Sequence, residues 1–336
     1  MASGMTYTDL ELHSLVRSMF KELPATLDTD EPTRLAQIES SDAATLARTI
    51  DHTLLAPNAS PTDIVTLCTV AHRAGTASVC VNSNMVPFAV AALGQLAKEA
   101  AKQQQQAGTT AQGANKPAVM AIAVVGFPFG AANTSAKVAE TKQALAEGAQ
   151  EIDMVIALSY LRAGLYSYLL NDIKAVVEAA RSSPSSAAAP VKVILETANL
   201  NRDQIATASL LACLAGAAFI KTSTGYAIAP LEGRPLGARV EDVRLMAWVT
   251  AYHQRTFLRS SSDSSSSEGR VKVKASGGIG SAQVLRQMLA AGADRIGASR
   301  TEAIVRELVA PTPAPTSSAA STESESAPAP ASSDAY

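Results

Sequence analysis

Hydrophobic positions along this chain keep two rhythms in alternation. Short runs dense in β-branched and aliphatic residues recur at 49–55, 77–82, 119–127, 151–157, 191–197, 219–223, 271–275 and 295–298. Between them lie longer segments of helical length, among them 61–75, 135–148, 166–181, 202–216 and 281–292. A spacing of two places alternate side chains on the two faces of a strand, and a spacing of three to four gathers one face of a helix. Asn201 stands where a side-chain oxygen caps a helix starting at Arg202, and Gly148 and Gly292 stand where helices end. Eight strand–helix units of this length predict an α/β protein of the (β/α)8 TIM-barrel type rather than an open doubly wound sheet. No Gly-x-Gly-x-x-Gly follows the first strand, which argues against a dinucleotide-binding sheet.

Before the barrel, Leu10, Leu12, Leu15, Val16 and Phe20 form an imperfect apolar stripe. Residues 1–44 are therefore expected to form an N-terminal helical extension, 45–309 the barrel, and 310–336 a disordered tail. Three further stretches, near 102–116, 182–190 and 259–269, are rich in Ser, Ala, Pro, Gln or Gly and cannot fill a core. They are expected to be loop insertions on the surface.

Composition narrows the function. The chain has 336 residues, 47% of them hydrophobic, enough for one large core. Lys+Arg at 28 against Asp+Glu at 30 leaves no basic stripe for nucleic acid. Cys68, Cys80 and Cys213 lie far apart and form neither a metal-ligand spacing nor a disulfide framework. A reducing compartment is the simplest setting. The first ten residues lack the basic-then-apolar order of a signal peptide. The apolar stretch at 205–220 is interrupted by Thr207 and Ser209 and is too short to span a membrane. It reads as a buried helix running into a strand. The expected location is cytoplasmic, with no membrane partner.

In barrels of this kind chemistry gathers at the C-terminal ends of the strands. Two of those ends carry a lysine after an apolar run and before a turn: Lys221 in Phe219-Ile220-Lys221-Thr222-Ser223-Thr224-Gly225, and Lys274 in Val273-Lys274-Ala275-Ser276-Gly277-Gly278. Lysine is seldom fully buried, and one at a strand end usually extends its amine to water. Two in matching positions point instead to a nucleophilic amine kept reactive by desolvation and a neighbouring cation. Asp153, flanked by Ile152 and Met154, is expected to point into the barrel, either to move protons or as a structural ion pair. Lys192 shares its parity with Glu196 and needs a carboxylate such as Asp51 or Asp153 if it is buried. His52 points away from Asp51 and is expected to pack, as is Cys80. No cluster has metal-ligand spacing, so neither metal nor cofactor is expected. Gly277 and Gly278 after strand seven, Gly297 and Ser299 around the end of strand eight, and Thr224 and Gly225 beside Lys221 suit a phosphate held by backbone N–H groups.

The segments Ile50-Asp51-His52-Thr53-Leu54-Leu55, Val125-Gly126-Phe127-Pro128, Glu151 to Val155, Lys192 to Thr197, Phe219 to Gly225 and Lys274 to Ile279 together resemble the deoxyribose-phosphate aldolase family, in its order, over roughly residues 49 to 299. The resemblance implies a metal-free class I aldolase. It would reversibly cleave 2-deoxy-D-ribose 5-phosphate to acetaldehyde and D-glyceraldehyde 3-phosphate, a step of deoxyribonucleotide catabolism. It also assigns roles: Lys221 forms the Schiff base, Lys274 favours its neutral form, and Asp153 exchanges protons. Gly225, Gly277, Gly278 and Ser299 match its phosphate-binding loops; Asp51, Thr224 and Gly297 are further candidates for substrate or phosphate binding, and Lys192 for a supporting role. Ser83 stands where the family often has Pro, Gly280 where it often has Arg, and Arg300 where it often has a second Ser. The last two lie on the phosphate side and bear on phosphate affinity. Arg300 either replaces the lost hydroxyl with a cation or points to solvent. Some members carry a C-terminal Tyr that reaches the site, and this chain ends in Tyr336. The alternatives are a Schiff-base aldolase acting on another sugar phosphate, and a non-catalytic scaffold. The expected partners are sugar phosphate and aldehyde substrates, with a monomer or a homodimer both compatible with the barrel.

Overall fold

Eight parallel strands close into one barrel in the order in which they occur along the chain. The computed structural model describes residues 7–27, 31–106, 118–182, 188–228, 230–258 and 269–310. Three helices, α1 (Asp9–Glu22), α2 (Glu31–Glu39) and α3 (Ala43–Ala47), lead into β1 (Ile50–Leu54). There follow α4 (Pro61–Ala74), β2 (Ser78–Val81), α5 (Val86–Gln106), β3 (Met120–Val125), α6 (Thr134–Ala146) and β4 (Glu151–Val155). Then come α7 (Leu158–Arg162), α8 (Tyr166–Arg181), β5 (Val191–Ile194), α9 (Arg202–Leu214) and β6 (Phe219–Lys221). The chain finishes with α10 (Val240–His253), β7 (Lys272–Ser276), α11 (Ala282–Ala290), β8 (Arg295–Ala298) and α12 (Thr301–Val309).

Local chemistry explains the punctuation. Ser60 and Asp63 form a reciprocal capping box at the start of α4, with Pro61 in its first turn and left-handed Gly75 at its end. Asn201 and Gln204 form the same device on α9. The eight strands coincide with the eight apolar runs, but six stop short of the expected ends at residues 55, 82, 127, 157, 197 and 223. At β3 the stop is Gly126, with φ 62°, and at β5 it is Glu196, with φ 59°, each turning the chain away from the ladder. Helix α5 runs through Gln106, into the stretch expected to be a loop from 102. Ala, Lys and Gln are good helix formers and carry the helix onward. The remainder of that stretch, residues 183–187 and 259–268, and the tail from 311 with Tyr336 lie outside the described residues.

Alternate strand residues divide the core. Val79, Ile152, Met154, Val193, Ile220, Val273 and Ile296 are buried in the layer that meets the helices. The opposite faces fill the barrel, where Leu55, Cys80, Ile122, Val124 and Phe127 form a separate apolar cluster. Beside that cluster the interior holds a group of buried charges. Residues 205–220 are indeed a buried helix, α9, followed by β6. Among the described residues no helix is long and apolar enough to cross a membrane.

Candidate active site

Parity sends a succession of charged residues into the barrel. Glu151 and Asp153 are two apart on β4, Lys192 pairs with Asp153 in the β4–β5 register, and Lys221 pairs with Lys274 between β6 and β7. The three ammoniums converge on Asp153: Lys192 lies 2.9 Å from Oδ1, while Lys221 at 2.9 Å and Lys274 at 2.8 Å share Oδ2. Lys274 also lies 2.6 Å from Oδ2 of Asp51. The other Asp51 oxygen accepts from Ser78 and, at 2.7 Å, from Arg295. Glu151 completes the set by pairing with Lys192 and, at 3.7 Å, with Arg295. The Phe219 ring lies amid Lys192, Lys272 and Arg295, each 5.6 to 5.7 Å from its centroid.

Counting these interior groups gives four cations (Lys192, Lys221, Lys274, Arg295) against three carboxylates (Asp51, Glu151, Asp153). Loss of one ammonium proton would leave the interior neutral. Burial works to raise the Asp153 carboxyl, but Lys192, Lys221 and Lys274 outweigh it and hold it well below the usual carboxylate range. Burial likewise opposes ionisation of Asp51, and Lys274, Lys192 and Arg295 overcome it. Desolvation works to strip the protons from Lys192 and Lys274, yet Asp153 and its neighbouring carboxylates win and raise both. Each of those two lysines touches two carboxylates; Lys221 touches one, through an oxygen it shares. Lys221 is also the member of the trio with measurable solvent exposure, at 3%.

The loops above the strands supply the remaining groups. Glu196 is the one non-glycine residue with positive φ among the described residues, and it is buried. Its carboxylate accepts from the Thr224 hydroxyl and, at 3.3 Å, from the Thr224 N–H. Burial raises the Glu196 carboxyl despite those bonds. Thr224 Oγ1 in turn accepts from the Tyr226 N–H at 2.9 Å, and the Tyr226 ring meets Phe127 edge-on, centroids 5.4 Å apart. Gly277 packs against a second glycine: a methyl group on it would come within 2.8 Å of Gly237 Cα. The N–H groups of Gly225 and Gly278 make no hydrogen bond among the described residues, and a methyl group on either would meet open space.

The structure thus brings together Asp51, Asp153, Lys192, Lys221 and Lys274. Two of the residues expected to serve substrate or phosphate binding make contacts within the barrel as well. Asp51 is closed to solvent and its oxygens serve Lys274, Arg295 and Ser78. Gly297 is buried in β8, where a methyl group would lie 2.8 Å from Ser276 Cβ and 3.2 Å from Lys274 Cε. Its missing side chain provides clearance for the lysine stem. Gly277, Gly278, Thr224, Gly225 and the exposed Ser299 stand in loops after the strands, as expected. His52 packs, its Nδ1 2.9 Å from the Thr301 hydroxyl. Cys80 does more than pack: its Sγ lies 4.0 Å from Asp153 Oδ2, and burial, with Asp153 beside it, pushes the thiol up to about 11. Sequence reasoning missed Arg295, Ser78 and Glu151, although Glu151 and Asp153 share parity. It also missed the Glu196–Thr224 pair. Among the described residues no group of three or more His, Cys, Asp or Glu is arranged to hold a metal.

The model of a family described as DeoC/LacD family aldolase matches residues 45–304. The deoxyribose-phosphate aldolase of Bdellovibrio bacteriovorus is 40% identical over 261 residues, which are 78% of this chain and 96% of that protein. That of Methanocella arvoryzae is 39% identical over 260 residues, 77% and 94% of the two chains. Among solved structures, a Coccidioides immitis protein with a provisional deoxyribose-phosphate aldolase assignment superposes with a TM-score of 0.69. It is 31% identical, over 91% of this chain and 99% of its own.

Proposed function

The chain belongs to the DeoC/LacD family of aldolases, and from that premise we propose that it is a class I aldolase acting on 2-deoxy-D-ribose 5-phosphate through a Schiff base on Lys221. The observation that carries this reading is the convergence of Lys221 and Lys274 on one oxygen of Asp153, with Lys221 the one of the three lysines around Asp153 that pairs with no second carboxylate among the described residues. Relatives named deoxyribose-phosphate aldolase support the substrate. Its cleavage belongs to deoxyribonucleotide catabolism in the cytoplasm. No cofactor is needed, because the imine itself receives the electrons. Assembly into a homodimer is compatible with the same reading; in Aeropyrum pernix the deoxyribose phosphate aldolase is described as tetrameric.

The neutral Lys221 amine adds to the C1 aldehyde of the open-chain sugar. The carbinolamine loses water and leaves a protonated imine. The C3 hydroxyl gives its proton to Asp153, the C2–C3 bond breaks, and its electron pair enters the imine as an enamine. D-glyceraldehyde 3-phosphate departs. The enamine then takes a proton at C2, and water hydrolyses the imine to release acetaldehyde and free Lys221. Asp153 is a weak base while three ammoniums face it. Conversion of Lys221 to an imine removes two of that residue's donor protons and leaves Oδ2 with one ammonium fewer, so that it can accept from the substrate hydroxyl. Lys274 remains charged, held by Asp51 and Asp153, and is positioned to donate protons. Gly225, Gly277, Gly278 and Ser299 are the proposed phosphate-binding residues, and Lys192 supports Asp153.

Borohydride added during turnover of 2-deoxyribose 5-phosphate tests the reading. A reduced two-carbon or five-carbon adduct on the peptide containing Lys221 is expected. Folded protein with no adduct on any lysine sinks it.

A further inference from the structure

We propose that Arg300 is the residue that sets this protein's preference for phosphorylated over unphosphorylated substrate, a reading that rests on the aldolase activity above. Its side chain lies across the loop after β7. A methyl group placed on Gly280 would sit 3.3 Å from Arg300 Cδ and 3.4 Å from Nη1. A larger residue at 280 would have to displace the arginine. The absent side chain at 280 is therefore the seat of the Arg300 guanidinium. That seat is two residues from Gly278, where phosphate binding is proposed, and one from Ser281, the cap of α11.

The guanidinium is also available. Arg300 is exposed and makes none of the ion pairs found among the described residues. The two carboxylates that share its cleft are engaged elsewhere: Glu302 pairs with Arg73, and Asp63 accepts from the N–H and hydroxyl of Ser60. Ala282 at the start of α11 already receives Glu307, 2.8 Å from its N–H, so that helix end is not free for a second anion. An incoming phosphate thus meets backbone donors on Gly225 and Gly278 and the exposed Arg300 cation, which makes no ion pair among the described residues. A planar guanidinium gives two parallel hydrogen bonds to phosphate, which a serine hydroxyl at 300 would not.

The test compares kcat/KM for 2-deoxyribose 5-phosphate and for 2-deoxyribose in the full chain. Arg300→Ala is expected to lower the ratio of the two roughly ten- to hundred-fold, through KM for the phosphate ester. Arg300→Lys restores part of it. Arg306→Ala, an exposed charge in the same cleft, leaves the ratio unchanged. Gly280→Arg combined with Arg300→Ser restores the cation from the other loop and with it the ratio. An unchanged ratio in Arg300→Ala, or an equal loss in Arg306→Ala, overturns the proposal. If the wild-type protein cleaves neither sugar, the aldolase reading fails by itself. Titration with inorganic phosphate then decides on Arg300: weaker binding in Arg300→Ala sustains its role, and equal binding ends it.

Discussion

The Lys274 ammonium lies 2.6 Å from Oδ2 of Asp51, and both groups are closed to solvent. Asp51 thereby divides its two oxygens between two cations, Lys274 and Arg295. The variant Asp51→Asn raises the interior excess from one cation to two and leaves Lys274 with Asp153 as its sole carboxylate. A buried pair broken from one side typically costs about 3–5 kcal/mol. The unfolding midpoint in urea is expected to shift accordingly, and aldol cleavage to fall because Lys274 then competes for Asp153 with Lys221. Unchanged cleavage with full stability would remove Asp51 from this account.

The three lysines make separable contributions. Lys221→Met is expected to abolish both cleavage and borohydride trapping. Lys274→Met leaves an imine that can still be trapped on Lys221, but lowers turnover by about 10²–10⁴-fold, the usual range for losing a proton-transfer group. Lys192→Met, which removes the partner of Glu151 and of Asp153 Oδ1, acts mainly on stability. Mass spectrometry of the trapped peptide and calorimetric unfolding distinguish the three. An adduct surviving in Lys221→Met refutes the assignment of the nucleophile.

These expectations show how far the chain could be read and where reading stopped. The barrel was legible because strand and helix periods differ, and because eight apolar runs were separated by helical lengths. Lys221, Lys274 and Asp153 were legible because parity alone aims them inward. Arg295 and Ser78 were not: parity says which face a side chain takes, but not which strand it reaches across a closed barrel. That the missing side chain of Gly297 gives room to Lys274 was not legible either, being a contact between β7 and β8 that sequence does not record. Parity also failed at Glu196, expected to share a side with Lys192. One residue with positive φ breaks the alternation, and Glu196 turns to Thr224 on the neighbouring loop.

Two glycines near the site should respond differently to alanine. Gly297→Ala drives a methyl group into Ser276 Cβ and Lys274 Cε, so it is expected to displace Lys274 and reduce cleavage by at least about tenfold, with destabilisation of roughly 1–3 kcal/mol from overpacking. Gly225→Ala meets open space but has φ 86°, so its cost is backbone strain of roughly 1–2 kcal/mol. Its effect falls on KM for the phosphate ester. Steady-state kinetics separates the two patterns, and a kcat defect confined to Gly225→Ala would reverse the assignment.

Glu196 combines a left-handed backbone with a carboxylate that holds Thr224. Glu196→Ala loses the hydrogen bonds and keeps the strain. Glu196→Gly loses the same bonds but relieves the strain, so it is expected to be more stable than the alanine variant by about 1 kcal/mol. Both should slow imine formation at Lys221, since the β6 loop that Thr224 anchors begins there. Equal stability of the two variants in urea denaturation would show that the φ of 59° carries no cost at this position.

Stability should fall on mild acidification, and His253 is a principal cause. Its ring is buried, stacks on Phe257 at 5.4 Å and has an Nδ1 without a hydrogen-bond partner among the described residues. Burial lowers it from 6.5 to about 4. Between those values the unfolded chain binds the proton and the folded one does not, so stability rises with pH across this window and is complete above 6.5. At 1.36 kcal/mol per pKa unit the loss on going from pH 6.5 to 4 is at most about 3 kcal/mol. Buried His52, also lowered by desolvation, adds in the same direction. Glu196 and Asp242, both raised by burial, act oppositely: the folded state holds their protons more tightly, so their contribution grows as pH falls through their folded values. Asp51 and Asp153, both lowered, begin to cost stability only below the ordinary 3.8. Urea unfolding measured from pH 7 to 4.5 in the wild-type chain and in His253→Phe isolates the histidine. The variant, which keeps an aromatic ring against Phe257, is expected to show a visibly flatter dependence; identical slopes would mean that His253 does not titrate with unfolding.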